Sequence, residues 1–169
     1  QMIDSTRIRR KNFVGNQVFT KTSYLRELGG FDEQMPGWED YELWLRLIDR
    51  FGPILKLPEC TYFLDRSEGL SRVTTSDKAR KGFEAFMQRH ASGMTEQQRW
   101  HQIINDLHDR SVPIGLSHLR QLWAPDTRIR LIALLLKVRT PVLYRWVIRG
   151  TILVSRMRKP GLYRLSNSQ

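Results

Sequence analysis

Every strand-like run in this chain lies ahead of Arg72, and from there to the C-terminus the patterning is helical. That division constrains the fold more than any other feature. The front holds three short apolar runs. Phe13-Val14-Gly15-Asn16-Gln17-Val18-Phe19, within Asn12 to Phe19, reads as a buried strand, and Ile54 to Leu57 and Thr61 to Leu64, separated by Pro58, read as two more. Between them, Thr20 or Thr22 is placed to cap a short helix running to Leu28 and ended by Gly29-Gly30. A loop from Phe31 to Gly37 leads to a stronger helix, Glu39 to Phe51, with Leu43, Trp44, Leu47, Ile48 and Phe51 on one side and Gly52 as its stop.

Behind Arg72, helices are predicted from Ser76-Asp77 to His90, with Phe83, Phe86 and Met87 on one face, and from Thr95 past Leu107. Thr95-Glu96-Gln97-Gln98 has the form of a capping box, opening a helix that buries Ile103, Ile104 and Leu107. Further helices run from Leu116 to Trp123, from Pro125-Asp126 to Val138, and onward from Thr140-Pro141. The predicted class is α+β, helix-rich, with few strands followed by a helical C-terminal extension. The expected divisions are 1–75, a helical extension over 76–124 and a basic tail over 125–169.

Charge divides the chain in a similar way. From Arg110 onward there are 12 basic residues and one acid, Asp126, so this tail carries the whole net charge of +11 and the front is neutral. A neutral front with a basic back predicts that only the back meets an anionic surface. The single cysteine, Cys60, excludes an internal disulfide framework or a Cys-based zinc cage, and suits a reducing cytoplasm. The opening stretch Gln1 to Lys11 is polar and does not read as a leader, and the longest apolar run, Leu131 to Leu136, is too short to span a bilayer. His90, His101, His108 and His118 have no carboxylate–His pairing at ligand spacing, so no metal site is read among them.

The chemistry-bearing segment is Gly29-Gly30-Phe31-Asp32-Glu33, followed closely by Trp38-Glu39-Asp40-Tyr41-Glu42-Leu43-Trp44-Leu45-Arg46-Leu47. It sets two carboxylates and an aromatic where an irregular loop enters a helix. A carboxylate there is expected to stay ionised through the helix dipole, and can take the proton of a hydroxyl that attacks an electrophile. Trp38 offers a flat face on which a sugar ring can stack. The plainer alternative is helix capping, because acids are common in first turns.

The residues from Asn12 to Arg72 resemble the acceptor-binding half of family 2 glycosyltransferases, inverting enzymes with the GT-A fold. The likeness rests on "NFVGNQVFTKTSYLRELGGFDE", then "WEDYELWLRL" and "GPILKLPECTYFLDRSEGLSR", in the family's order and spacing. It implies a partial GT-A sheet, with Asp40 matching the catalytic base, Glu39 its supporting neighbour, and Trp38, Gly15 and Asn16 in the acceptor cleft. It also implies a nucleotide-diphosphate sugar donor, a glycan or lipid-linked acceptor, and a divalent metal, Mg or Mn, in the full-length enzyme.

The chain departs from the family's pattern in two places. Where many members carry Arg and then His, this chain has Leu64 and Arg66. Arg66 is either a fixed cation for the diphosphate or a solvated arginine paired with Asp65 or Glu68. No Asp-x-Asp metal motif and no nucleotide-binding strand–helix repeat is present. With Gln1 rather than Met at its start, the chain is expected to be a C-terminal portion, binding no metal and inactive alone.

In the tail, Val142, Leu143, Trp146, Val147, Gly150, Leu153, Val154 and Met157 form an apolar stripe, with Arg145, Arg149 and Arg156 beside it. Trp on an apolar face flanked by arginines predicts a helix lying in a membrane interface, hence a cytoplasmic protein peripheral at the inner face of the plasma membrane. The alternative is packing on another part of the protein. Nucleic acid is not expected, since the arginines alternate with aliphatics and no nucleic-acid module is recognisable. A non-catalytic carbohydrate- or membrane-binding module is the competing class.

Overall fold

A computed structural model describes residues 1–15, 18–57 and 77–147. Contacts divide the chain into two units: Gln1–Pro58 with Leu64–Arg110, and Glu59–Phe63 with Ser111–Gln169. Among the described residues the chain is helix-rich α+β, with one two-stranded antiparallel sheet.

The first unit is built around one helix. In chain order it holds β1 (Met2–Ile3), α1 (Ser5–Ile8), α2 (Thr22–Glu27), α3 (Glu39–Phe51), β2 (Ile54–Leu55), α4 (Asp77–His90) and α5 (Glu96–Asp109). The strands pair Met2 with Leu55 and Ile3 with Ile54. Seven residues of α3 are buried: Tyr41, Glu42, Leu43, Trp44, Leu45, Leu47 and Ile48. They exceed the stripe expected from sequence because neighbours cover α3 on several sides. Ile3 and Ile8 pack into the same core, as do Phe86 from α4 and Met94 beyond it, while Phe51 is half-buried.

Local signals set most boundaries. α2 ends where Gly29 and Gly30 take φ of +77° and +72°. The Gly30 N–H donates to the Leu25 carbonyl at 2.9 Å and Gly29 to Arg26 at 3.0 Å, the paired bonds of a Schellman cap. At α5, Thr95 accepts from the Gln98 N–H at 3.2 Å while the Gln98 side chain accepts from Thr95 N–H at 2.9 Å, so the capping box forms as expected. The start of α2 differs: Lys21 occupies the N-cap, Thr22 is already helical, and no side chain caps it.

The expected strand over Asn12 to Phe19 is absent from its described residues. Asn12 Oδ1 accepts the N–H groups of Val14 and Gly15, both at 3.1 Å, and Gly15 turns at φ +82°. The Asn side chain thereby substitutes for a sheet partner and curls the backbone. Phe13, Val14 and Val18 still pack against the core. Of the run Ile54 to Leu57, only Ile54–Leu55 pairs, and Thr61 to Leu64 falls outside the described residues.

In the second unit the described helices are α6 (Leu116–Leu122), α7 (Arg128–Arg139) and α8 over residues 141–147. Leu122, Leu131, Leu134 and Thr127 are fully buried. Thr127 Oγ1 joins α6 to α7 by accepting the Ala124 N–H at 3.0 Å and donating to the Leu122 carbonyl.

Candidate active site

The loop before α3 delivers the site. Gly37 lies against α4 so closely that a Cβ there would meet the Lys78 carbonyl oxygen at 3.0 Å. Trp38 follows at φ +66°, a left-handed conformation costly for a large side chain. Ring contacts hold it there: its ring lies 5.5 Å from that of Tyr41 and 5.4 Å from those of Phe83 and Phe86. The turn ends in α3 as the Glu42 N–H reaches the Trp38 carbonyl at 2.9 Å.

Beside this turn opens a cleft of about 320 Å³ within the first unit. Its walls include Trp38, Glu39, Asp40 and Tyr41 from the turn and α3, and Gln102 and Asp106 from α5. Asp40 and Glu39 also border a more open depression with Phe31 and Trp44. Asp40 is half-buried, and among the described residues it makes no ion pair. One of its oxygens accepts the Tyr41 N–H at 2.6 Å. Burial raises its pKa above the ordinary aspartate value, and the neighbouring Glu39 charge adds to that rise against the Tyr41 hydrogen bond. Partial loss of solvent thus makes this carboxylate a stronger base than an open one.

Two residues along, Glu42 is the opposite case. Burial would raise its pKa, but hydrogen bonds with His90 and Arg46 outweigh that and hold it down at about 2. Arg46 Nη2 lies 2.7 Å from Glu42 Oε2, and the same guanidinium donates to the Leu28 carbonyl at 2.7 Å and the Gly30 carbonyl at 2.9 Å. Glu42 and Arg46 together therefore clamp the Gly-Gly turn onto α3, whereas Asp40 has no ion pair among the described residues.

α5 supplies what sequence patterning missed. Ile104 and Leu107 are buried as expected and Ile103 only half so, but Gln98, His101, Gln102, Asn105 and Asp106 are buried as well. Three amides at helical spacing reach back to the segment after β1. Gln98 donates to the Thr6 carbonyl at 3.2 Å, Gln102 to Arg9 at 2.6 Å and Asn105 to Arg10 at 2.8 Å. These bonds satisfy one carbonyl within α1 and those of the two residues that follow it.

The other expected site residues are dispersed. Gly15 does not line the cleft; its carbonyl accepts the Trp44 indole N–H at 2.8 Å, and Asn12 takes the wall position instead. Trp38 reaches the cleft from within an aromatic cluster rather than as an isolated platform. Asn16, Arg66, Arg149 and Arg156 lie outside the described residues. Arg145 and Trp146 are exposed on α8. No three His, Cys, Asp or Glu side chains come together to hold a metal among the described residues.

Over 81 residues the chain is 32% identical to an Escherichia coli (strain K12) protein named "Putative colanic acid biosynthesis glycosyl transferase WcaA". The chain is similar to a glycosyl transferase. The match covers 48% of this chain and 29% of that protein, so the chain spans less than a third of its relative's length. No family model matches the chain. No solved structure matches it. A transferase relationship, coarsely drawn, agrees with a cleft that presents a half-buried carboxylate without an ion pair among the described residues.

Proposed function

We propose that this chain is the acceptor-side portion of an inverting family 2 glycosyltransferase of the GT-A type. The observation that carries this reading is Asp40: a carboxylate lining a cleft, without an ion pair among the described residues and with its basicity raised by burial. In the proposed reaction an acceptor hydroxyl gives its proton to Asp40 as its oxygen attacks the anomeric carbon of a nucleotide-diphosphate sugar. The bond to the diphosphate breaks on the opposite face, so a single base serves and configuration inverts. Glu39 keeps Asp40 basic, and Trp38 forms an apolar wall for the acceptor.

The described residues provide no cluster fit for a divalent metal, so no step of this chain is routed through one. Mg or Mn belongs, in this proposal, with the nucleotide-binding part of the longer enzyme, and transfer needs that part. The acceptor is a glycan or a lipid-linked glycan. A membrane-surface location is part of this proposal, and α8 supports it: Val142 and Trp146 are 68% and 71% exposed beside the exposed Arg145. No helix among the described residues is long and apolar enough to cross a membrane. The contact in this proposal is peripheral, at the cytoplasmic face.

The test is to supply the full-length polypeptide with a panel of nucleotide-diphosphate sugars and saccharide acceptors. NMR then reads the anomeric configuration of any product. Inversion is expected, and retention of configuration contradicts the single-base mechanism. A non-catalytic carbohydrate-binding module would bind glycans in this assay without releasing nucleotide.

A further inference from the structure

The amide ladder of α5 holds one group that the fold leaves unused. Gln98 spends both ends of its amide, its nitrogen on Thr6 and its oxygen on the capping box. Gln102 spends only its nitrogen, on the Arg9 carbonyl at 2.6 Å and on the Tyr41 hydroxyl at 2.5 Å. The Tyr41 hydroxyl gives its own proton to the Ile8 carbonyl. Both neighbours of the nitrogen are therefore acceptors, and exchanging the two ends would set oxygen against oxygen. The amide orientation is fixed, and Gln102 Oε1 has no hydrogen-bond partner among the described residues although the residue is fully buried. A buried acceptor without a donor carries its whole desolvation penalty, so such an atom calls for an explanation.

Gln102 lines the same cleft as Asp40. The charge of that cleft narrows what could supply the donor. Asp106 is neutralised by Arg110 at 2.5 Å, so among the described lining residues the carboxylates of Glu39, Asp40 and Asp109, the last 3.3 Å from His108 Nδ1, face the cation of Lys11. A carboxylate or phosphate on the ligand would bring like charge to like and offer Gln102 no proton.

We infer that Gln102 selects the acceptor: its Oε1 takes a hydrogen bond from a hydroxyl of an uncharged sugar seated in the Asp40 cleft, and anionic sugars are turned away. The inference rests on reading the cleft as the acceptor site, and it adds a specificity residue from a helix outside the family-like segment.

The test is binding without a donor, read by ¹H–¹⁵N NMR on the full chain. Probes are methyl β-glucopyranoside and methyl β-galactopyranoside, their monodeoxy derivatives and methyl β-glucuronide. A neutral glycoside is expected to shift the Gln102 side-chain amide and the Asp40 backbone resonance. One monodeoxy derivative should bind about tenfold more weakly than its parent, and the glucuronide more weakly still. Gln102→Met should abolish the distinction between parent and that derivative; a merely structural role would weaken all probes alike and would overturn the inference. Should the variant fail to fold, the deoxy series on the unaltered chain still decides. Equal affinity across that series, equal binding of the glucuronide, or no cleft shifts at all contradicts it. Because transfer is not measured, failure here leaves the assignment of Asp40 as base standing.

Discussion

Asp40 and Glu42 stand two residues apart, and the fold sends them in opposite directions. Asp40 is partly desolvated without a cation paired to it among the described residues, so its charge is held at a cost. Glu42 is more deeply buried yet satisfied by Arg46 and His90, which hold its pKa at about 2 against a reference of 4.5. A depressed carboxyl pKa stabilises the fold above the unfolded value, and the gain disappears as pH falls through the folded one. Glu42→Gln should therefore cost on the order of 3 kcal/mol at pH 7, with the deficit closing as pH falls from about 4.5 towards 2. Urea unfolding of both proteins at pH 7 and pH 3 measures it. The family likeness singled out Asp40 in the sequence, but spacing and composition could not show that Glu42 would be the paired acid and Asp40 the unpaired one among the described residues. Their difference depends on Arg46, four residues along α3, and on His90, which only the tertiary fold brings near.

Among the elements, those governed by neighbouring residues were legible. The Gly-Gly stop after α2, the α5 capping box and the apolar pattern of α3 all follow from groups within a few positions of one another. The segment after Asn12 was misread because an Asn side chain competed successfully for the backbone that a strand would have used. The buried polar face of α5 was not legible, because the carbonyls that satisfy it lie more than ninety residues earlier in the chain. The approach of α4 was equally hidden. Gly82 sits where a Cβ would meet the Gly37 carbonyl oxygen at 2.5 Å, and neither atom can yield without moving backbone. Gly82→Ala should thus destabilise by about 1–3 kcal/mol, although alanine favours a helix elsewhere. It should also disturb the Trp38 turn next to Gly37. Thermal unfolding, together with the fluorescence of a protein in which Trp38 is the sole remaining tryptophan, reads both effects.

At the scale of the whole molecule, charge and apolar exposure coincide. The basic excess begins at Arg110, and the second unit presents Ile129, Val142 and Trp146 on its surface. Sedimentation with anionic liposomes should pellet the full chain and leave a chain ending at residue 127 in the supernatant. Equal pelleting of the two would refute the peripheral anchor. The central claim, that Asp40 takes the acceptor proton, is tested most directly by Asp40→Asn in the full-length enzyme. Removing a carboxylate whose burial is unfavourable should leave stability unchanged or slightly raised, so a loss of activity could not be ascribed to unfolding. Steady-state transfer should fall by at least a hundredfold while nucleotide-sugar binding stays within about twofold of the parent. Turnover near the parent rate in that variant would contradict the account.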